Sequence, residues 1–161
     1  MKLRILIPSI IVALLTFGCA KQDTAKAVVA APAQPGVRVI ELTGNDAMKY
    51  NMNSIELNVG EEVKVIFTNI GTMPKQAMAH NFVVLKAGSD AAAFSMAAAP
   101  AAATNYIPPA LQDEVIAHTK MLGPKESDTV TLKFAEAGQY PFLCSFPAHF
   151  QVGMKGVITV K

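Results

Sequence analysis

Near the C-terminal end of the 161-residue chain, Cys144, His149 and Met154 stand at the spacing C-x4-H-x4-M. A thiolate, an imidazole and a thioether form a soft donor set, better suited to copper than to calcium, magnesium or zinc. Pro147 supplies a turn between the first two, and Met154 precedes the next strand pattern, so one loop can fold all three toward one point. A fourth donor, His80 in Met78-Ala79-His80-Asn81, would arrive at the same end from a distant strand. Taken singly these residues carry little: a buried Cys or Met is most often core filling, and a lone His a satisfied side chain. Their order at the end of a strand pattern carries the metal reading. A Cys–His nucleophile would need an orienting third group, and the Phe-Pro-Ala surroundings of Cys144 suit a buried ion better than a hydrated thiolate.

The elements that must position these donors show a period of two. Val37–Leu42, Ser54–Val59, Val63–Thr68 and Thr129–Phe134 alternate apolar and polar residues, and His80–Leu85, Gln139–Cys144 and about Lys155–Val160 are further strand candidates. Gly60-Glu61, Gly71, Pro74, Gly123-Pro124 and Ala137-Gly138 punctuate them. Short strands without alternating helices predict an all-β antiparallel sandwich. The exception is the Ala-rich stretch Ser89–Asn105, which predicts one or two helical turns, limited by Pro100 and, further on, Pro108 and Pro109.

Composition narrows the classes. Apolar residues make up 52% and charged residues 16%, which excludes a disordered or nucleic-acid-coating chain. Two cysteines allow one disulfide at most and cannot build a four-cysteine zinc or iron–sulfur site. Residues 1–19 read as an export signal: basic Lys2 and Arg4, apolar Ile5–Leu15, then small residues around Gly18-Cys19-Ala20. The apolar run is shorter than the roughly 20 residues of a spanning helix. Leu15-Thr16-Phe17-Gly18-Cys19 resembles a lipobox that would leave a lipid anchor on Cys19; the competing cut follows Ala20 and discards it. Residues 20–36, rich in Ala with Pro32 and Pro35, form a tether by composition. Residues 37–161 are the single folded domain, with ten basic and eleven acidic side chains, net −1. The net +2 of the whole chain thus belongs to the signal and tether, and no nucleic-acid patch is expected.

The domain resembles the azurins, within the cupredoxin or type 1 blue copper family. The resemblance rests on Gly44-Asn45-Asp46 with Met48, Tyr50 and Asn51, on Pro74-Lys75 followed by Met78-Ala79-His80-Asn81, on Val115–Lys120, and on Cys144–His149 followed by Met154-Lys155-Gly156. It implies a Greek-key β-sandwich of about eight strands with a short helical insertion and one copper ion at one end. Residue by residue it implies His80, Cys144 and His149 as equatorial ligands, Met154 as a weak axial ligand and the Ala79 carbonyl as a longer axial neighbour. Asn81 and Ser145 would hold the ligand segments, and Phe146, Pro147 and Met78 would keep water out. The chain departs from azurin in having four rather than three residues between His149 and Met154, a spacing closer to the auracyanins and rusticyanin. It also has Ala79 and Ala148 where azurins have Gly, Phe82 in place of a tryptophan, and no disulfide.

The implied function is not enzymatic but periplasmic electron transfer, cycling Cu(II) and Cu(I). His149 would be an exposed edge within an apolar patch of Met48, Met73, Pro74, Ala148 and Phe150. There a c-type cytochrome or respiratory complex would dock on a monomer. The alternative is a copper carrier or storage protein using the same donors. A multicopper enzyme would need further histidines, and after two ligands only His118 remains, expected as an ordinary surface residue.

Overall fold

The computed structural model describes residues 36–161, so the export-signal, Cys19 and tether assignments over 1–35 lie outside the described residues. Among the described residues nine strands form two sheets. The first runs in the order β2 (Lys49–Tyr50), β1 (Arg38–Asn45), β4 (Glu62–Asn69), β7 (Ser127–Lys133). The second runs β3 (Ser54–Leu57), β9 (Lys155–Val160), β8 (Gly138–Leu143), β5 (Val83–Leu85), β6 (Val115–His118).

The period-two pattern explains how they stack. Along β4 every second residue is buried, and Val63, Val65 and Phe67 meet Ile55, Phe142 and Ile158 of the opposite sheet in one core. The pairings are mixed rather than wholly antiparallel. β1 lies parallel to β4, with Ile40 beside Val65, and β3 lies parallel to β9, with Ile55 beside Ile158. Alternation fixes which face is buried but not the partner or its direction, so the antiparallel expectation failed at these two pairs.

β5 is buried on both faces, a continuous apolar run. Val84 points into the sandwich, while Val83 and Leu85 join a second core with Phe94, Ala98, Ile107 and Leu143. The Ala-rich stretch supplies that cover. Its helix α2 (Ala91–Ala98) follows a one-turn helix α1 (Lys75–Met78), and the Asp90 carboxylate caps α2 by accepting from the Ala92 and Ala93 N–H groups at 2.9 and 3.0 Å. Short 3-10 turns at Ala102–Thr104 and Pro109–Glu114 complete the connection to β6.

Candidate metal centre

β8 ends at Leu143 and hands Cys144 to one end of the sandwich, while the bridge between His80 and Leu122 fixes the segment that enters β5. The loop between β8 and β9 closes on itself. Met154 N–H donates to the His149 carbonyl at 2.9 Å, and Cys144 N–H donates to the Met154 carbonyl at 3.0 Å. Nδ1 of His80 and Nδ1 of His149 therefore lie 3.1 Å apart, at 4.0 and 3.4 Å from Sγ of Cys144. All three residues are buried, with their ligand atoms within 4.8 Å of one another.

Met154 is fully buried, and its Cε packs where a Cβ on Gly44 would stand, 2.7 Å away, beside the Phe67 ring. A Cβ at Gly44 would have to displace the Met154 methyl and press on the Phe67 ring, 3.0 Å away. Ala79, 1% exposed and extended at φ −77°, immediately precedes His80.

The segments carrying the two histidines are tied directly to each other. The Asn81 side chain donates to Ser145 Oγ and accepts from Ser145 N–H, both at 2.8 Å. Tyr50 adds a tie that alternation could not reveal: its hydroxyl donates to the Asn81 carbonyl at 2.6 Å from a ring packed on Phe67, Phe82 and Phe142. Asp46 is a second one. Its carboxylate accepts from Thr72 N–H and Oγ1 at 2.8 and 2.9 Å, drawing the loop before α1 against the β1–β2 turn. Both residues belong to the Gly44–Asn51 motif, but their partners, Asn81 and Thr72, lie in distant segments of the chain.

Burial sets the protonation states. It pushes the Cys144 thiol up to about 12, against the pull of the Asn81 and Phe146 backbone N–H groups. Burial, helped by His80, brings His149 down to about 4. His80 is lowered too, by burial, with the Asn45 carbonyl and the Asp46 charge acting the other way. Its Nε2 is buried and makes no hydrogen bond of ordinary geometry, although that carbonyl is near. Neutral imidazoles with free lone pairs and a thiol that ionises only beside a positive charge form a pocket completed by a cation. The donor set fits copper, since one sulfur and two imidazole nitrogens face one another with a thioether alongside.

His149 is not the exposed edge that the sequence suggests. Its ring is 2% exposed because Phe146 packs against it with centroids 4.8 Å apart, and Tyr106 stacks on Phe146 at 5.1 Å. Around it Met73, Pro74 and Ala148 are exposed, and Met48 and Phe150 half-buried. His118 lies exposed on β6, its Nδ1 3.0 Å from the Thr119 carbonyl and outside the donor cluster.

Comparison with known proteins agrees with this architecture. The family described as copper binding proteins, plastocyanin/azurin family, matches residues 38–161. An azurin of Pseudomonas aeruginosa is 33% identical over 138 residues, covering 83% of this chain and 92% of that protein. Auracyanin-B of Chloroflexus aurantiacus is 34% identical over 151 residues, 88% of this chain and 63% of that one. The crystal structure of dithionite-reduced auracyanin from Roseiflexus castenholzii superposes with a TM-score of 0.68 at 36% identity, covering 76% of this chain and 96% of that chain.

Proposed function

The chain belongs to the plastocyanin/azurin family of copper-binding proteins, and from that premise we propose that it is a periplasmic one-electron carrier. Nδ1 of His80, Sγ of Cys144, Nδ1 of His149 and the Met154 thioether would hold the copper ion, with the Ala79 carbonyl adjoining His80 as a further donor. The observation that carries this reading is the convergence of three buried donor atoms within 4.8 Å at the end of a rigid sandwich. Copper bound there supplies a Cu(II)/Cu(I) couple, whose two states prefer different coordination.

The protein's part is to keep one compromise geometry through the cycle. The Asn81–Ser145 and Tyr50–Asn81 hydrogen bonds hold the two ligand segments in register, and the Gly44 backbone limits the movement of Met154. Phe146 and Pro147 keep water off His149. A redox protein such as a c-type cytochrome or a respiratory complex docks over this loop on the monomeric carrier, and the electron passes through the thin cover of His149. Transient interfaces of this kind bury about 1,200 Å2 or less, which the exposed Met73, Pro74 and Ala148 surface can provide. The export signal read over residues 1–19 supports the periplasmic location. Mass spectrometry of the mature N-terminus distinguishes a lipidated Cys19 from a chain beginning at Lys21.

The deciding experiment is optical. Purified protein given Cu(II) is expected to turn intensely blue, to bleach on reduction and to recover on oxidation, while Cys144→Ser stays colourless. A blue Cys144→Ser protein, or a native protein that takes up copper without colour, would overturn the reading in favour of a copper carrier or store.

A further inference from the structure

Strand directions gather part of the domain's charge at the donor end. β1 and β4 finish at the donor end, and β3, β7 and β9 begin there. At that end Lys49, Lys75, Lys120, Lys125 and Lys155 stand with Asp46, Glu126 and Asp128, net +2. The remaining five basic and eight acidic side chains of 37–161 are spread along the strands, on the long connection and at the other end, and sum to −3. The near-neutral domain is therefore polarised, positive toward the metal centre.

The acids at the positive end are already engaged. Asp46 holds Thr72, Glu126 pairs with Lys75 at 3.1 Å, and Asp128 accepts the Lys120 N–H at 2.8 Å. Three lysines, by contrast, have no carboxylate within 4.0 Å among the described residues. Their ammonium groups are fixed instead on the rim of the apolar surface. Lys125 Nζ donates to the Ile70 carbonyl at 2.7 Å, Lys49 Nζ to the Val152 carbonyl, and Lys155 Nζ lies 4.0 Å above the Phe150 ring. Ile70 and Val152 are 46% and 43% exposed, so charge and apolar surface alternate around the covered His149.

We propose that this end docks a redox protein with an acidic contact face, carboxylates surrounding an apolar centre. The inference rests on the electron-carrier reading. A polarised carrier is turned by the field of such a partner before contact, so that the end bearing the donors meets it first. An anionic lipid surface is the competing occupant, but such surfaces are recognised by dense clusters of roughly four to eight basic residues, whereas the five lysines here are interleaved with Asp46, Glu126 and Asp128.

The test uses the reduced, copper-loaded protein and two electron acceptors of one fold: a basic c-type cytochrome, and the same cytochrome with its lysines succinylated. In stopped flow at low ionic strength the succinylated cytochrome is expected to be reduced about tenfold faster. That advantage disappears near 1 M salt, where the Debye length is about 3 Å. Lys125→Glu with Lys155→Glu takes the donor end from +2 to −2 and is expected to reverse the preference. Lys133→Glu with Lys161→Glu makes the same change at the far end and is expected to leave it. Equal rates for the two cytochromes, preference of the native protein for the basic one, or equal effects of the two double variants would overturn the proposal. So would sedimentation with phosphatidylglycerol vesicles that Lys125→Glu with Lys155→Glu abolishes, which assigns the rim to a membrane. A blue protein that reduces neither cytochrome fails the electron-carrier reading itself, and this inference with it.

Discussion

Two stretches leave the sheets and fold against them, the ligand loop 144–154 and the long connection 86–114, and they are held by different forces. The ligand loop is laced by directional bonds. Its backbone bonds to itself at His149, Val152, Gly153 and Met154, and Ser145 is clamped by Asn81. The connection also bonds to itself along its backbone, but what presses it on the sheet is apolar burial, with Phe94, Ala98 and Ile107 against Val83, Leu85 and Leu143. The two meet where Gln151 Nε2 donates to Ser95 Oγ at 3.2 Å. Burial is energetically large but tolerant of position, whereas hydrogen bonds are modest and place atoms closely. The comparison therefore predicts that stability and spectroscopy respond to different residues.

Phe94→Ala should have the largest effect on folding, a loss of about 3–5 kcal/mol by denaturant titration, with the blue band of the surviving folded protein unchanged. A Phe94→Ala protein that shifted the band would break the comparison. Asn81→Ala leaves the buried Ser145 N–H without its acceptor and should cost about 1–3 kcal/mol. Here the absorption band and reduction potential should both move, because the clamp between ligand segments is gone. Ala148 holds φ +70°, a left-handed conformation that strains any residue with a Cβ, so Ala148→Gly should stabilise the protein by about 0.5–1 kcal/mol.

The smallest expected effect is a pH dependence. Thr72 N–H, with the Thr72 hydroxyl and Met73 N–H, holds the Asp46 carboxyl below its ordinary 3.8, against the opposing pull of desolvation. The native state thus favours the ionised form, and its contribution is present above 3.8 and lost as pH falls through the lower folded value. Thermal melts between about pH 5 and pH 3 should show Asp46→Asn losing less stability on acidification than the native protein.

The same contrast explains what could be read in the sequence. The donors were legible because Cys144, His149 and Met154 are chemically distinctive, close in the chain, and placed where a strand pattern stops. Strands such as β4 were legible because alternation is a direct image of a half-buried pleat. The two-residue β2 and the α1 turn are too short for any period to register. The parallel partners of β1 and β3, the Tyr50 hydroxyl bond and the burial of His149 under Phe146 all depend on contacts between distant segments. In α2 the run Ala91–Ala98 is apolar nearly all round, so its sequence does not mark Phe94 and Ala98 as the buried face.

One consequence follows from the clamp between Asn81 and Ser145, whose partners stand 64 positions apart. His80 and Cys144 share the same separation. A collapsed but unfinished chain holds either half of the pocket without the other, and the parallel pairs β1–β4 and β3–β9 must close long intervening loops before the halves meet. Colour is thus a stopwatch for the last stage of folding: an apo chain refolded in the presence of Cu(II) reports the arrival of its native state by turning blue. Once captured, the ion works as a rivet, since unfolding must release it and every increment of metal affinity adds to the stability of the whole sandwich.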